Sequence, residues 1–222
     1  MELYDVMHTT FAAREFTSDP VPDEVVAKLL DHARFAPSGG NRQGWRVIVV
    51  RDPATKRALA DLSGITAKRY AAQVKNGENP WNSIDPPGMD AATIEKTPPP
   101  PHLTEPIAKA PVVLVICVDQ KVVASMDQHL ARVGVISGAS IYPFAWNILM
   151  AARHEGFGGT ITTLAAAQEP KVQELLGLPV HVAVAAVMPI GRPVRILTKL
   201  KRKPVPDFAT RERWGGTPFG TR

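Results

Sequence analysis

Apolar positions recur along the chain at two different periods, and the change from one to the other marks out the elements. Val25, Val26, Leu29, Leu30, Ala33 and Phe35 share one face at helical spacing, which predicts a helix with a buried side. Asp19 or Ser18 is placed to cap it, and Asp23 and Glu24 suit the positive end of its dipole. Leu3, Tyr4, Val6 and Met7 predict a shorter helix before it. Three runs have strand length: Arg46 to Arg51, Ala110 to Asp119 and His181 to Met188. The last two are apolar without alternation, as strands covered on both faces are. Asp52-Pro53 opens a helix carrying Leu59, Ala60 and Leu62, and a second helical segment is expected from Gly64 to about Val74. Gly134 to Ala152 is apolar nearly all round, which predicts a long buried helix that Pro143 kinks or restarts. Ala165 to Leu176 reads as a helix started in its main part by Pro170 and stopped by Gly177. Together these elements predict an α+β protein with helices on the faces of a central sheet.

The stretch from Asn76 to Pro106 breaks both periods. Its prolines at 80, 86, 87, 98 to 101 and 106 predict that neither a regular helix nor a central strand passes through it. A loop of this length in a compact domain is either disordered or functional.

At 222 residues the chain is expected to form a single domain, 1–222, or one protomer of an intertwined dimer. No apolar run approaches the ~18 residues that span a bilayer, and the N-terminal residues lack a basic-then-apolar signal. The single cysteine, Cys117, lies inside an apolar run, so it is expected to be a core residue in a cytoplasmic protein. The net charge of +5 is unevenly spread. From Arg192 onward there are nine basic and two acidic residues, while residues 1–191 hold 17 and 19. The basicity is therefore a property of the 192–222 extension, which suits either a nucleic-acid arm or a supply of cations for a phosphate. The slightly acidic remainder and the few aromatics of the tail speak against nucleic acid. Asp127-x-His129 lacks a third and fourth ligand at a convincing spacing, so no metal is expected.

Between the helix ending at Ala36 and the strand beginning near Trp45 lies Pro37-Ser-Gly-Gly-Asn-Arg-Gln43-Gly44. By itself this is either an ordinary Gly-rich connection or a loop that brings backbone N–H groups against a flat or anionic ligand. The stretch APSGGNRQGW resembles the APS-x-x-N-x-Q-P-W signature of the flavin-dependent nitroreductase family, with Gly44 where the family usually has Pro. Arg14-Glu-Phe16 is similar to the end of the family's RRS-x-R-x-F motif, whereas Thr10, Phe11 and Ala12 depart from its start. Glu155 to Thr163 is similar to the segment whose backbone passes beside the flavin ring. Leu200-Lys-Arg-Lys-Pro204 resembles the basic pair that meets the flavin phosphate.

The resemblance implies a nitroreductase-like fold with a mixed sheet, a central helix pairing two protomers, and FMN at the interface of a homodimer. It implies cofactor contacts from Arg14, from Pro37, Ser38, Gly39, Asn41 and Gln43, from Ile161, Thr162 and Thr163, and from Lys201 and Arg202. The Pro37–Gln43 loop would come from the same chain or from its mate. The 76–106 segment would be a lid, with Trp81 and Met89 touching substrate. Hydride would pass from NADH or NADPH through the flavin to a nitroaromatic, a quinone or another electron-poor acceptor. No Gly-x-Gly-x-x-Gly follows a strand, so the nicotinamide would dock transiently. The altered Thr10–Ala12 segment leaves open a divergent branch, a reductive dehalogenase or a flavin-modifying enzyme.

Overall fold

The computed structural model describes residues 1–220. Its centre is a four-stranded sheet built from β1 (Trp45–Val50), β2 (Val112–Asp119), β3 (Gly158–Gly159) and β4 (Val182–Gly191), in the order β1-β2-β4-β3. These strands pair antiparallel throughout. The parallel component of the expected mixed sheet is one bridge, between Ala12 and Gly159.

Successive side chains of a strand point to opposite faces, and β2 uses both for core. Leu114 and Ile116 pack with α2 (Asp23–Ala33) and α6 (Tyr142–His154), whose Leu29, Phe144 and Ile148 fill that side. Val113, Val115 and Cys117 face α3 (Pro53–Lys75) and α5 (Pro101–Lys109), through Leu59 and Ile107. Helices thus cover both faces, which explains why β2 carries no polar alternation. Cys117 is fully buried, and burial pushes its thiol pKa up to about 11, so it is a packing residue as expected.

Several boundaries differ from the pattern. Neither Ser18 nor Asp19 caps α2; Pro22 occupies the cap position, and the Asp19 carboxylate accepts from the Thr17 hydroxyl instead. The two segments expected after Asp52 are one helix of 23 residues, capped by the Asp52 carboxylate on the Thr55 N–H at 2.7 Å. It runs through Gly64 because that face lies against Pro99 and Thr104. A Cβ at Gly64 would meet nothing closer than 3.8 Å. Gly64→Ala is therefore expected to stabilise the protein by about 0.5–1 kcal/mol, measurable by urea titration. The proline-rich stretch also holds two helices, α4 (Ala91–Lys96) and α5, against expectation. Pro101 starts α5, and the buried Pro106 sits inside it, where its ring forgoes one helix hydrogen bond. The long buried helix begins only at Tyr142, with Pro143 in its first turn, and Ser137–Ser140 forms a separate 3-10 turn. Gly177 ends α7 (Glu169–Leu176) at φ 66°, as its position predicted. Among the described residues, no helix is long and apolar enough to cross a membrane. Residues 221 and 222 of the basic extension lie outside the description.

Candidate active site

The segment Phe11–Thr17 is held extended between two others. The Ala13 N–H donates to the Gly159 carbonyl at 2.9 Å, the Val194 N–H to the Glu15 carbonyl at 3.1 Å, and the Thr17 N–H to the Arg192 carbonyl at 2.9 Å. This fixes the backbone on both sides of Arg14, whose exposed guanidinium has no carboxylate partner among the described residues. The Thr10 hydroxyl is buried and donates to the Val6 carbonyl at 2.7 Å, closing α1 (Leu3–Thr9). It is therefore spent on the fold, in line with its departure from the motif.

After β3 the chain stays beside β4 for one more pair. Thr162 N–H and Val187 N–H donate to each other's carbonyls, at 3.1 and 2.8 Å. That exchange turns the neighbouring N–H groups of Ile161 and Thr163 away from β4. Thr163 N–H has no acceptor among the described residues. Arg14, Ile161, Thr162 and Thr163 line one cavity of about 500 Å³, together with Thr66 and Tyr70 of α3 and Trp81 of the 76–106 segment. The volume is in the range of small-molecule sites.

Trp81 has φ 56°, a conformation that costs a bulky residue of order 1–3 kcal/mol. Gln73, almost wholly buried, holds it there. Its Oε1 accepts from the Trp81 N–H at 3.1 Å and its Nε2 donates to Glu78 at 2.9 Å. The Arg69 guanidinium lies over the Trp81 ring at 4.0 Å. Glu78 in turn accepts from Asn76 at 2.7 Å and from the Gly88 N–H at 3.1 Å. The Asn76 and Gln73 side-chain amides hold its carboxyl below the usual glutamate pKa. A carboxyl whose pKa is lowered on folding supports this segment fully above its unfolded value of about 4.3, and loses that support as pH falls below it. The part of the fluorescence that Trp81→Phe removes is thus expected to change below about pH 4.3. Glu78→Gln, which sets one amide N–H₂ against another, should give the loosened Trp81 signal already at neutral pH. Met89 is half-buried beside this network and does not line the cavity.

The Pro37–Gln43 loop lies elsewhere. It precedes β1, while Ile161–Thr163 follow β3, and these are opposite edges of the sheet, about 14 Å apart at three strand spacings. Ser38 Oγ accepts from the Gln43 N–H at 3.0 Å, and the Gly39 N–H donates to Ser140 Oγ at 3.0 Å. Gly40, Asn41 and Gln43 have φ of 62°, 51° and 50°, which bends the loop tightly and leaves Asn41 and Gln43 exposed. Gly44 has a steric reason: a Cβ there would come within 2.7 Å of Val123 and 3.0 Å of Val122. The loop abuts the Ser137–Ser140 turn, which lines a second and larger cleft of about 970 Å³ with Val123, Tyr142 and Ala185.

Lys201 and Arg202 are exposed and line neither space; the Arg202 guanidinium donates to the Lys201 carbonyl. The tail cation beside Arg14 is Arg195, which shares a depression of about 190 Å³ with Phe11, Ala12 and Arg14. The motif points to Lys201 and Arg202; for Arg195 the sequence holds one signal, the +7 charge of the tail. Asp127 accepts from Arg132 at 2.8 Å and from the Val135 N–H at 2.7 Å, which commits its carboxylate to the loop. No group of three metal-ligating side chains occurs among the described residues.

A model of the nitroreductase family matches residues 9–192. The chain is 31% identical over 189 residues to an NADH dehydrogenase of Thermus thermophilus, covering 81% of each protein. It is 26% identical over 206 residues to iodotyrosine deiodinase 1 of Pongo abelii, covering 92% of this chain and 66% of that protein. Among solved structures, oxidised iodotyrosine deiodinase bound to FMN and 3-iodo-L-tyrosine superposes with a TM-score of 0.68 at 20% identity, over 96% of this chain and 100% of the other.

Proposed function

The chain belongs to the nitroreductase family, and on that premise we propose that it is an FMN-dependent oxidoreductase passing hydride from NADH or NADPH to an electron-poor acceptor such as a nitroaromatic or quinone. The observation that carries this reading is the meeting of a carboxylate-free Arg14 with the unpaired Thr163 N–H in one cavity. A flavin ring needs both kinds of donor at its polar edge, and a relative in the same fold is described as FMN-bound. The names of the relatives, an NADH dehydrogenase and a deiodinase, fit redox chemistry with a reduced nicotinamide. When bound, FMN supplies two-electron chemistry that the side chains lack, so no Ser-His-Asp or paired-carboxylate site is required.

The chain's own groups bind and orient. Arg14 favours negative charge at the ring edge it faces, and the Thr163 N–H offers a fixed donor there. Arg202, Lys201 or Arg195 meets the phosphate through charged hydrogen bonds. Arg202→Ala is expected to weaken FMN binding about 10- to 100-fold, measured by fluorescence titration of apoprotein. Full retention at low FMN would remove Arg202 from the role, and Arg195→Ala then tests the tail cation beside Arg14.

The Pro37–Gln43 loop is assigned to the flavin of a second copy, because in its own chain it lies at the sheet edge opposite Arg14. Exposed apolar groups agree with a homodimer. Met126, Val133 and Val135 beside the larger cleft, Tyr142 and Trp146 on α6, and Phe208 and Trp214 in the tail are all left facing water. The 1–222 chain would act as one domain per protomer. An absorbance spectrum of purified protein, with the chromophore identified after denaturation, tests the proposal. About one FMN per chain supports it, and a colourless protein that refuses added FMN overturns it. Dehalogenation stays as a second reading because of the deiodinase relatives.

A further inference from the structure

A reduced nicotinamide dinucleotide is larger than the ring that reacts, so its ADP half needs a hold of its own. No Gly-x-Gly-x-x-Gly follows a strand to give one. Next to the cavity of Arg14 and Thr163 lies a depression of about 400 Å³ that shares Arg14 and Pro106 with it. It runs between the extended Arg14–Phe16 segment and α5. His102, Glu105 and Lys109 recur at three- and four-residue spacing, so one face of α5 brings them to it together. Phe16 is pressed onto β4, because a Cβ at Gly191 would come within 2.8 Å of its ring. With Pro101 it gives the depression an apolar side that suits a flat purine.

The charges of this depression suit phosphate. Glu105 is already engaged: its two carboxylate oxygens take Arg57 and Lys109, each at 3.1 Å, and these cations hold its pKa below the usual glutamate value. The three groups together keep one surplus positive charge. Lys109 is exposed and carries three N–H donors, so it can serve a second anion. The exposed His102 ring offers a further N–H, and Arg14 stands where the depression meets the cavity. Against these the lining sets one carboxylate without an ion-pair partner among the described residues, that of Glu15. A carboxylate in such a place accepts from a ribose hydroxyl. The lining fits an anionic ligand with hydroxyl groups better than an uncharged acceptor.

We propose that this depression holds the ADP half of the nicotinamide dinucleotide, with the pyrophosphate between Arg14 and Lys109, His102 beside it, and the adenine against Phe16 and Pro101. The proposal deepens the oxidoreductase reading and rests on it for the reaction served. Its consequence is that affinity for the hydride donor is set by α5 and the Arg14 segment, apart from the contact of the nicotinamide ring with a flavin.

ADP-ribose, which carries every part of the dinucleotide except the nicotinamide, is the probe. It is titrated by calorimetry into the protein as purified, and again with FMN added. One saturable site is expected in both, and Lys109→Ala and His102→Ala should each weaken it about 3- to 10-fold. Lys75→Ala, at the C-terminal end of α3, should not. Absence of binding, unchanged affinity in either α5 variant, or loss of ADP-ribose on adding FMN each overturns the site, the last because the depression would then belong to the flavin. Anaerobic flavin bleaching gives a second readout. Reduced nicotinamide mononucleotide lacks the adenylate, so NADH should be preferred to it at least about 10-fold in kcat/KM, and that ratio should fall in Lys109→Ala. A purely structural lysine would move both donors alike. ADP-ribose bound by a protein that takes up no flavin would sink the oxidoreductase reading and leave the site standing. A flavin bleached equally well by both donors would do the reverse.

Discussion

Arg14→Ala is expected to slow reduction of the bound flavin by NADH or NADPH about 100-fold, the loss seen when one preorganised donor is removed from developing negative charge. The fold should not register the change. Arg14 is exposed and has no carboxylate partner, and its backbone is held by Ala13 and Glu15, so stability should stay within about 0.5 kcal/mol. Anaerobic stopped-flow bleaching of the flavin gives the rate, and a redox titration gives the potential. Arg14→Lys, which keeps the charge and loses the planar fork, should recover part of the rate. If both rate and potential match wild type, Arg14 is a solvated surface charge and the centre of the proposed site moves elsewhere.

The second large effect is structural and reaches the same site by another route. A Cβ at Gly159 would lie 2.5 Å from the Pro189 carbonyl oxygen and 2.5 Å from Ile190 Cδ1. The isoleucine can turn, but the carbonyl belongs to β4 and cannot. Gly159→Val should therefore destabilise the protein by about 3 kcal/mol, the upper end for overpacking, by pushing the Gly158–Gly159 strand off the sheet. The Gly159 carbonyl itself accepts from the Ala13 N–H and so holds the backbone before Arg14, and Thr162 pairs only three residues further on. FMN should be lost along with the stability. Chemical denaturation and flavin content measured on one preparation check both. A variant of normal stability that has lost its flavin would separate the two effects. Normal stability with full flavin would mean that β3 yields without cost.

Local chemistry was legible where its causes are local. The strands were visible as apolar runs because β2 and β4 are covered on both faces, and Gly177 stopped a helix because its own φ requires it. Arg14 and Ile161–Thr163 could be picked out as separate motifs. Their convergence on one cavity depends on a parallel bridge between Ala12 and Gly159, residues 147 positions apart. No window of the sequence contains that contact. Proline counting failed at Pro106 for the same reason. The cost of a proline inside a helix is local, whereas the packing of α5 on α3 involves a distant segment.

What the sequence determined by itself is therefore the set of elements and the chemical kinds of residue available: helix faces, buried strands, a glycine-rich loop, an arginine in an extended motif, and a basic tail. The tertiary structure alone decided which of these meet. It put the Pro37–Gln43 loop at the edge of the sheet opposite Arg14. It brought Arg195 of the tail to Phe11–Arg14 and left Arg202 in solvent. It forced glycine at 44 through Val122 and Val123, and it left the buried Thr66 hydroxyl without a hydrogen-bond partner. Periodicity and capping act over three or four residues and can be read along a chain. Strand order, close approach and unpaired polar groups arise between residues far apart in sequence, and only packing decides them.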